Sequence, residues 1–221
     1  MNFLAHSLFC SDDPYEVAGA AVPDWLPLTR PRVRCRSKAA APHVDHDDPQ
    51  VASLARGILR HHADDDWFHN TVAFGELELQ LARTIRRATR DEDGMRPKFL
   101  GHILLEMLLD WVLAERDPQL LPVYYELLEG VDPVRVADAV SEFTAADASQ
   151  LGGSIIPKFL ELRFLFDYAD DQRLLLRLNQ VMRRVRLPEL GAAFVEILPA
   201  ARESVAARAD ELLAAPAPAP A

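Results

Sequence analysis

The sequence predicts an all-α protein, a helical bundle over residues 1–214, and three observations carry that reading. Apolar residues recur every three or four positions along most of the chain, with no run of strict alternation bounded by turn signals. Four Asp-Pro pairs, Asp13-Pro14, Asp48-Pro49, Asp117-Pro118 and Asp132-Pro133, punctuate it. Asp is a strong helix N-cap and Pro suits the first helical position, so each pair is expected to open a helix. Finally, 221 residues at 49% hydrophobic and 26% charged are enough to bury a core.

Taken in order, the expected helices are 2–10, 14–22, 49–88, 96–116, 118–129, 133–147, 154–168, 171–187 and 189–214. The second, third, fifth and sixth begin at the Asp-Pro pairs. The 49–88 stretch is long for one helix, and a break is expected near Asn70 or Gly75. Residues 27–48 form the one long irregular segment. It carries Arg30, Arg32, Arg34, Arg36 and Lys38 with no acid among them, then turns acidic at His43, Asp45, His46, Asp47 and Asp48. Loops of that length are functional or mobile, and the arginines are candidates for binding a partner. The Ala-Pro alternation over 215–221 reads as an extended, disordered tail.

Charge and cysteine content exclude several classes. A formal charge of −10 argues against general affinity for nucleic acid. Two cysteines, Cys10 and Cys35, cannot staple a disulfide scaffold or supply a thiolate zinc cluster, and they read as a core and a loop residue. The start, Met1 to His6, lacks the basic region of a signal peptide, and no apolar run reaches the roughly 20 residues of a membrane span. A cytoplasmic protein is therefore expected. No Gly-rich phosphate loop and no Gly-x-Ser-x-Gly elbow occurs.

On a helical wheel of the 49–88 stretch, Leu54, Ile58 and Val72 fall within about 40° of one another and mark a core stripe. Asp65 and His69 fall in the same stripe, with His61 and His62 flanking it. An unpaired carboxylate there costs several kcal/mol unless a cation or an imidazole compensates it. Asp64 and Asp66 point elsewhere and read as solvated. The 96–116 helix repeats the i, i+4, i+8 pattern with His102, Glu106 and Asp110, and is otherwise apolar nearly all round, as a central helix is. Two to three histidines with three acids suit Mn²⁺, Fe²⁺ or Zn²⁺, which would turn a bound water into a nucleophile at neutral pH. A ferritin-like di-iron site is disfavoured, because its Glu-x-x-His pairs are absent. His6 and Asp24 are outer candidates.

These residues resemble the acyl carrier protein phosphodiesterases, a branch of the HD-type metal-dependent phosphohydrolases. Met1 to His6 is similar to that family's N-terminus, and Gly19 to Asp24 to its Gly-Asn-x-x-x-Asp segment. Gly57 to His69 resembles its Gly-x-x-x-His-x-x-x-Asp-x-Phe-x-Asp helix, and Glu106 to Ala114 its Asp-x-x-x-Asp-His-Phe-Leu-Ala helix. The likeness covers residues 1–116. Ala20, His69, Glu106 and Trp111 stand where the family has Asn, Asp, Asp and His. The resemblance implies an HD-like fold, a Mn²⁺ cofactor, and hydrolysis of the phosphodiester that joins 4′-phosphopantetheine to acyl carrier protein. On this reading His61, Asp65, Glu106, Asp110 and His6 hold the metal. His69, His102 and Asp24 serve catalysis, and Arg30, Arg32, Arg34 and Arg36 face the acidic partner. Two rival readings remain: a degenerate member that binds a protein without turnover, which Trp111 favours, and a different helical metalloenzyme.

Overall fold

The computed structural model describes residues 1–89 and 94–214, and every regular element among them is helical. In chain order the helices are α1 (Phe3–Ser7), α2 (Pro14–Trp25), α3 (Ser37–Ala40), α4 (Pro49–His69), α5 (Val72–Ala88) and α6 (Pro97–Arg116). Then follow α7 (Leu120–Glu129), α8 (Pro133–Thr144), α9 (Ile156–Leu162), α10 (Asp171–Arg184) and α11 (Leu198–Leu212), with short 3₁₀ and π turns between some of them. The contacts divide the chain into two compact units, 1–66 with 117–164 and 67–116 with 165 onward, so the boundary falls inside α4. No helix of the described residues is long and apolar enough to cross a membrane. The expected tail at 215–221 lies outside the described residues, as does Arg90.

The Asp-Pro pairs act as the sequence suggests. Asp13 accepts from the backbone N–H groups of Tyr15 and Glu16, Asp132 from those of Val134 and Arg135, and Asp48 from that of Gln50 at 2.9 Å. Each satisfies donors left open at a helix start. Asp117 caps only a turn, bonding Gln119 N–H at 3.0 Å, and α7 begins at Leu120 rather than 118. The break near Asn70 is real. The N–H groups of Asn70 and Thr71 close back on Trp67 and Phe68, and the Thr71 hydroxyl then caps α5 by accepting from Phe74 N–H.

Elsewhere the expected helices run too long. Residues 154–168 divide into a π turn at Leu151–Ile155, α9, and a 3₁₀ turn at Phe164–Ala169, because Arg163 takes a left-handed conformation at φ 41° that ends α9. Residues 189–214 begin with a 3₁₀ turn at Ala192–Ile197, and Pro199 sits in the first turn of α11, where a missing N–H does no harm. Val72, assigned to the core stripe, belongs to the next helix and is 74% exposed. The chain turns at Asn70 and Thr71, so the wheel of α4 does not extend to it.

In the first unit, α1 and α7 both pack on α2, and Phe3, Trp25, Tyr125 and Phe164 pack around Phe159. One contact matters most for the site. A Cβ on Gly19 would lie 2.2 Å from Leu54 O, and one on Gly57 would lie 2.0 Å from Glu16 O. Only glycine allows α2 and α4 to approach this closely. In the second unit α5 packs along α6, and α11 covers both. Gly101 plays the matching part there, since its Cβ would meet Glu78 O and Ala82 N at 3.0 Å.

The 27–48 segment is less featureless than expected, holding α3 and a 3₁₀ turn at Ala41–His43. From Arg32 to Arg36 its side chains alternate: Val33 and Cys35 are buried, while Arg32, Arg34 and Arg36, like Arg30, are exposed. Thr29 pins its start by accepting from Val33 N–H at 2.8 Å, and the Gln150 amide donates to Arg30 O at 2.6 Å.

Candidate metal centre

The close crossing of α2 and α4 brings the Ala20 carbonyl to the ring of His61. His61 Nδ1–H donates to Ala20 O at 2.8 Å, which fixes the tautomer and leaves the Nε2 lone pair facing inward. Metal-binding histidines are typically oriented this way, by a carbonyl or carboxylate on the far nitrogen. His61 Nε2 lies 3.4 Å from Asp65 Oδ2, one helical turn along α4. From α1, His6 stacks on His61 with ring centroids 3.9 Å apart, and His6 Nε2 lies 3.4 Å from Asp65 Oδ1. His6, His61 and Asp65 each offer a donor atom within 4.8 Å of the others, so one cation could reach all three.

The electrostatics are those of a cation site. His6 is fully buried, and neither ring nitrogen has a hydrogen-bond partner. Burial alone would lower its pKa, but the carboxylates of Asp64 (3.9 Å) and Asp65 outweigh that and raise it to about 9. Asp65 is pulled upward by burial and held well below the usual carboxylate range by His6, His61 and the Met1 ammonium, which donates to Oδ1 at 2.6 Å. Asp24, at the end of α2, has a buried Oδ2 with no hydrogen-bond partner, and burial pushes its carboxyl up despite His61 and His6 nearby. An orphaned carboxylate oxygen beside two imidazoles and a second carboxylate fits a divalent cation of the hard-to-borderline class.

Asp64 corrects the sequence reading. It is 2% exposed rather than solvated, paired with Arg60 Nε at 3.0 Å and facing His6. The wheel placed it off the apolar stripe, but α1 covers that flank. His62 leaves the donor set, because its Nε2–H donates to Cys35 O at 2.8 Å. His6, expected at the periphery, stands in the middle. The arginine segment lies close by in sequence and space: Arg34, Val33, Leu26, Pro23 and His62 line one shallow depression. Burial raises the Cys10 and Cys35 thiols to about 12 and about 11, so neither is a ready nucleophile.

The remaining predicted site residues belong to the second unit. His69 Nε2–H donates to Glu106 Oε1 at 3.0 Å, His102 Nε2 lies 3.2 Å from the same oxygen, and the two rings stack at 4.9 Å. These three form a second donor group. The sequence reading pooled them with His61 and Asp65 in one shell, whereas the donors within ligating reach of one another form two groups, one in each unit. Asp110, one turn beyond Glu106, is buried but is not a donor of either group. Glu78, from α5, was not foreseen. It binds His102 Nδ1 at 3.1 Å, and its only sequence signal is an acid between Leu77 and Leu79.

Trp111, which stands where the resembled family has a histidine, carries the Arg202 guanidinium 4.4 Å over its ring. Arg202 is held in turn by Asp171 and the Tyr168 carbonyl. Compared with known proteins, the chain matches no family model, no curated protein and no solved structure.

Proposed function

We propose that the chain is a metal-dependent phosphodiester hydrolase of HD-like type, with its metal held by His6, His61 and Asp65. The observation that supports this reading best is the buried donor set whose central imidazole is pre-oriented by the Ala20 carbonyl. A bound divalent cation supplies Lewis acidity there, lowering the pKa of a coordinated water and offsetting charge on phosphoryl oxygens. His61 and Asp65, one turn apart on a rigid helix, hold their donors in register, and His6 closes the third side. Asp24, whose carboxyl burial pushes up, is the candidate to pass a proton to a substrate oxygen. The exposed face of Arg32, Arg34 and Arg36 gives an anionic substrate a positive rim. The acidic acyl carrier protein, with its phosphopantetheine diester, suits that rim. Mn²⁺ is the first metal to try, and Fe²⁺ and Zn²⁺ the next.

The test is hydrolysis of bis(p-nitrophenyl) phosphate and of phosphopantetheinylated acyl carrier protein by metal-reconstituted chain. Turnover that needs Mn²⁺ and falls at least 100-fold in Asp65→Ala supports the proposal. Metal binding without turnover of either substrate favours a second reading, a protein-binding module. The packing of Trp111 beneath Arg202 speaks for that reading, because no imidazole is then available at this position for acid–base work.

A further inference from the structure

We infer that the second unit carries a cation site of its own, in which His69, His102 and Glu106 bind one borderline divalent metal of the zinc class. The donors come from two helices: His69 is the last residue of α4, and His102 and Glu106 lie one turn apart on α6. Glu106 Oε1 stands 3.0 Å from His69 Nε2 and 3.2 Å from His102 Nε2. Tetrahedral zinc with bonds of about 2.0–2.1 Å separates its ligands by about 3.3 Å, close to these two distances. All three donor atoms lie within 4.8 Å of one another, and the ion takes the place of the proton on His69 Nε2.

A shell of supporting contacts fixes the histidines. His102 Nδ1–H donates to Glu78 Oε1, and Glu78 Oε2 pairs with Lys98 Nζ at 3.4 Å. A carboxylate on the far nitrogen is how metal-binding imidazoles are held and made more basic. The Phe74 ring packs edge-on against both imidazoles, 4.8 Å from His69 and 5.0 Å from His102. Gly101 lets α5 approach α6 closely enough for Glu78 to reach the ring.

Two imidazoles and one carboxylate, with side chains about 30% exposed for both histidines, leave a coordination position open to solvent. Closed structural zinc sites use four protein ligands; three with an open side is the pattern of sites that exchange a small ligand or water. The site takes a metal independently of His6, His61 and Asp65, so it stands whether or not the hydrolase reading does.

The test uses the full chain, stripped with chelator and titrated with Co²⁺ and then Zn²⁺. In a His61→Ala background, which disables the first group, one equivalent of Co²⁺ should still bind and give the visible d–d absorption of a low-coordinate centre. Adding His102→Gln should weaken that binding at least 10-fold and remove the band, while His62→Gln in the same background should leave it. Nuclear magnetic resonance of the histidine rings in the unaltered chain needs no variant. Zinc should shift the Nε2 signals of His69 and His102 and leave His102 Nδ1 protonated. Cobalt binding undiminished by His102→Gln, or ring signals of His69 and His102 that zinc does not move, overturns the inference.

Discussion

Gly57→Ala probes the step on which the first metal centre depends, the close crossing of α2 and α4. The added Cβ would sit 2.0 Å from Glu16 O and 2.8 Å from Ala20 N, against an ordinary contact of 3.4 Å. The helices must therefore part by about 1.4 Å at this point, the difference between those two distances. Both obstacles are backbone atoms, so no side-chain rotation relieves them, and overpacking of this kind costs about 1–3 kcal/mol. The shift also stretches the 2.8 Å bond from His61 Nδ1 to Ala20 O, worth about 1 kcal/mol. Better helix propensity returns about 1 kcal/mol. A net destabilisation of about 2 kcal/mol should lower the apparent Tm by about 4–8 °C in a chain of this size. Gly75→Ala is the control, because nothing lies within 4 Å of its Cβ and it sits on the exposed side of α5. It should raise stability by about 0.5–1 kcal/mol. Circular dichroism melts in chelator read both, and metal affinity should fall only in Gly57→Ala. Equal melting curves for the two variants would refute the claim that this glycine contact sets the site.

Three further outcomes follow from the same geometry. Asp64→Asn should destabilise the chain by about 1–2 kcal/mol, read as a lower urea midpoint, because it weakens the pair that buried Asp64 makes with the partly exposed Arg60. In cation-free protein, His6 contributes stability that is fully present below its unfolded pKa of 6.5 and is lost as pH rises through about 9. Urea midpoints should therefore fall across that window, and a His6→Gln variant should lack the slope. Reversing Arg32 and Arg34 to Glu should weaken association with acyl carrier protein, and binding to the unaltered chain should weaken as salt brings the Debye length below about 8 Å. Metal content and hydrolysis of a small phosphodiester should be unaffected, and salt-insensitive binding would show that the arginine face is not used.

Helix class and most helix starts were legible because local chemistry decides them: Asp13, Asp48 and Asp132 cap whatever surrounds them. Helix ends were less so. The stop at Arg163 is a left-handed residue without a glycine or proline to announce it, and the turn at Asn70–Thr71 moved Val72 from a core stripe to the surface. For the site, the i, i+4 spacing found His61 with Asp65 and His102 with Glu106, since one helix holds each pair. It could not say which residues from other helices join them. His6 comes from α1 and Glu78 from α5, and the part of Glu78 follows from packing at Gly101, where the sequence records a small residue but not its neighbour. Asp64 was misjudged for the same reason: a wheel describes one helix, and burial depends on what covers it.

The most direct test of the central claim is anomalous diffraction at the manganese edge from crystals of the chain grown with Mn²⁺. The account predicts a peak bonded to His6 Nε2, His61 Nε2 and an Asp65 carboxylate oxygen at about 2–2.5 Å, with His61 Nδ1 still donating to Ala20 O. No peak at these three residues under saturating Mn²⁺, with the imidazoles still stacked and Asp24 Oδ2 still unpartnered, would contradict it.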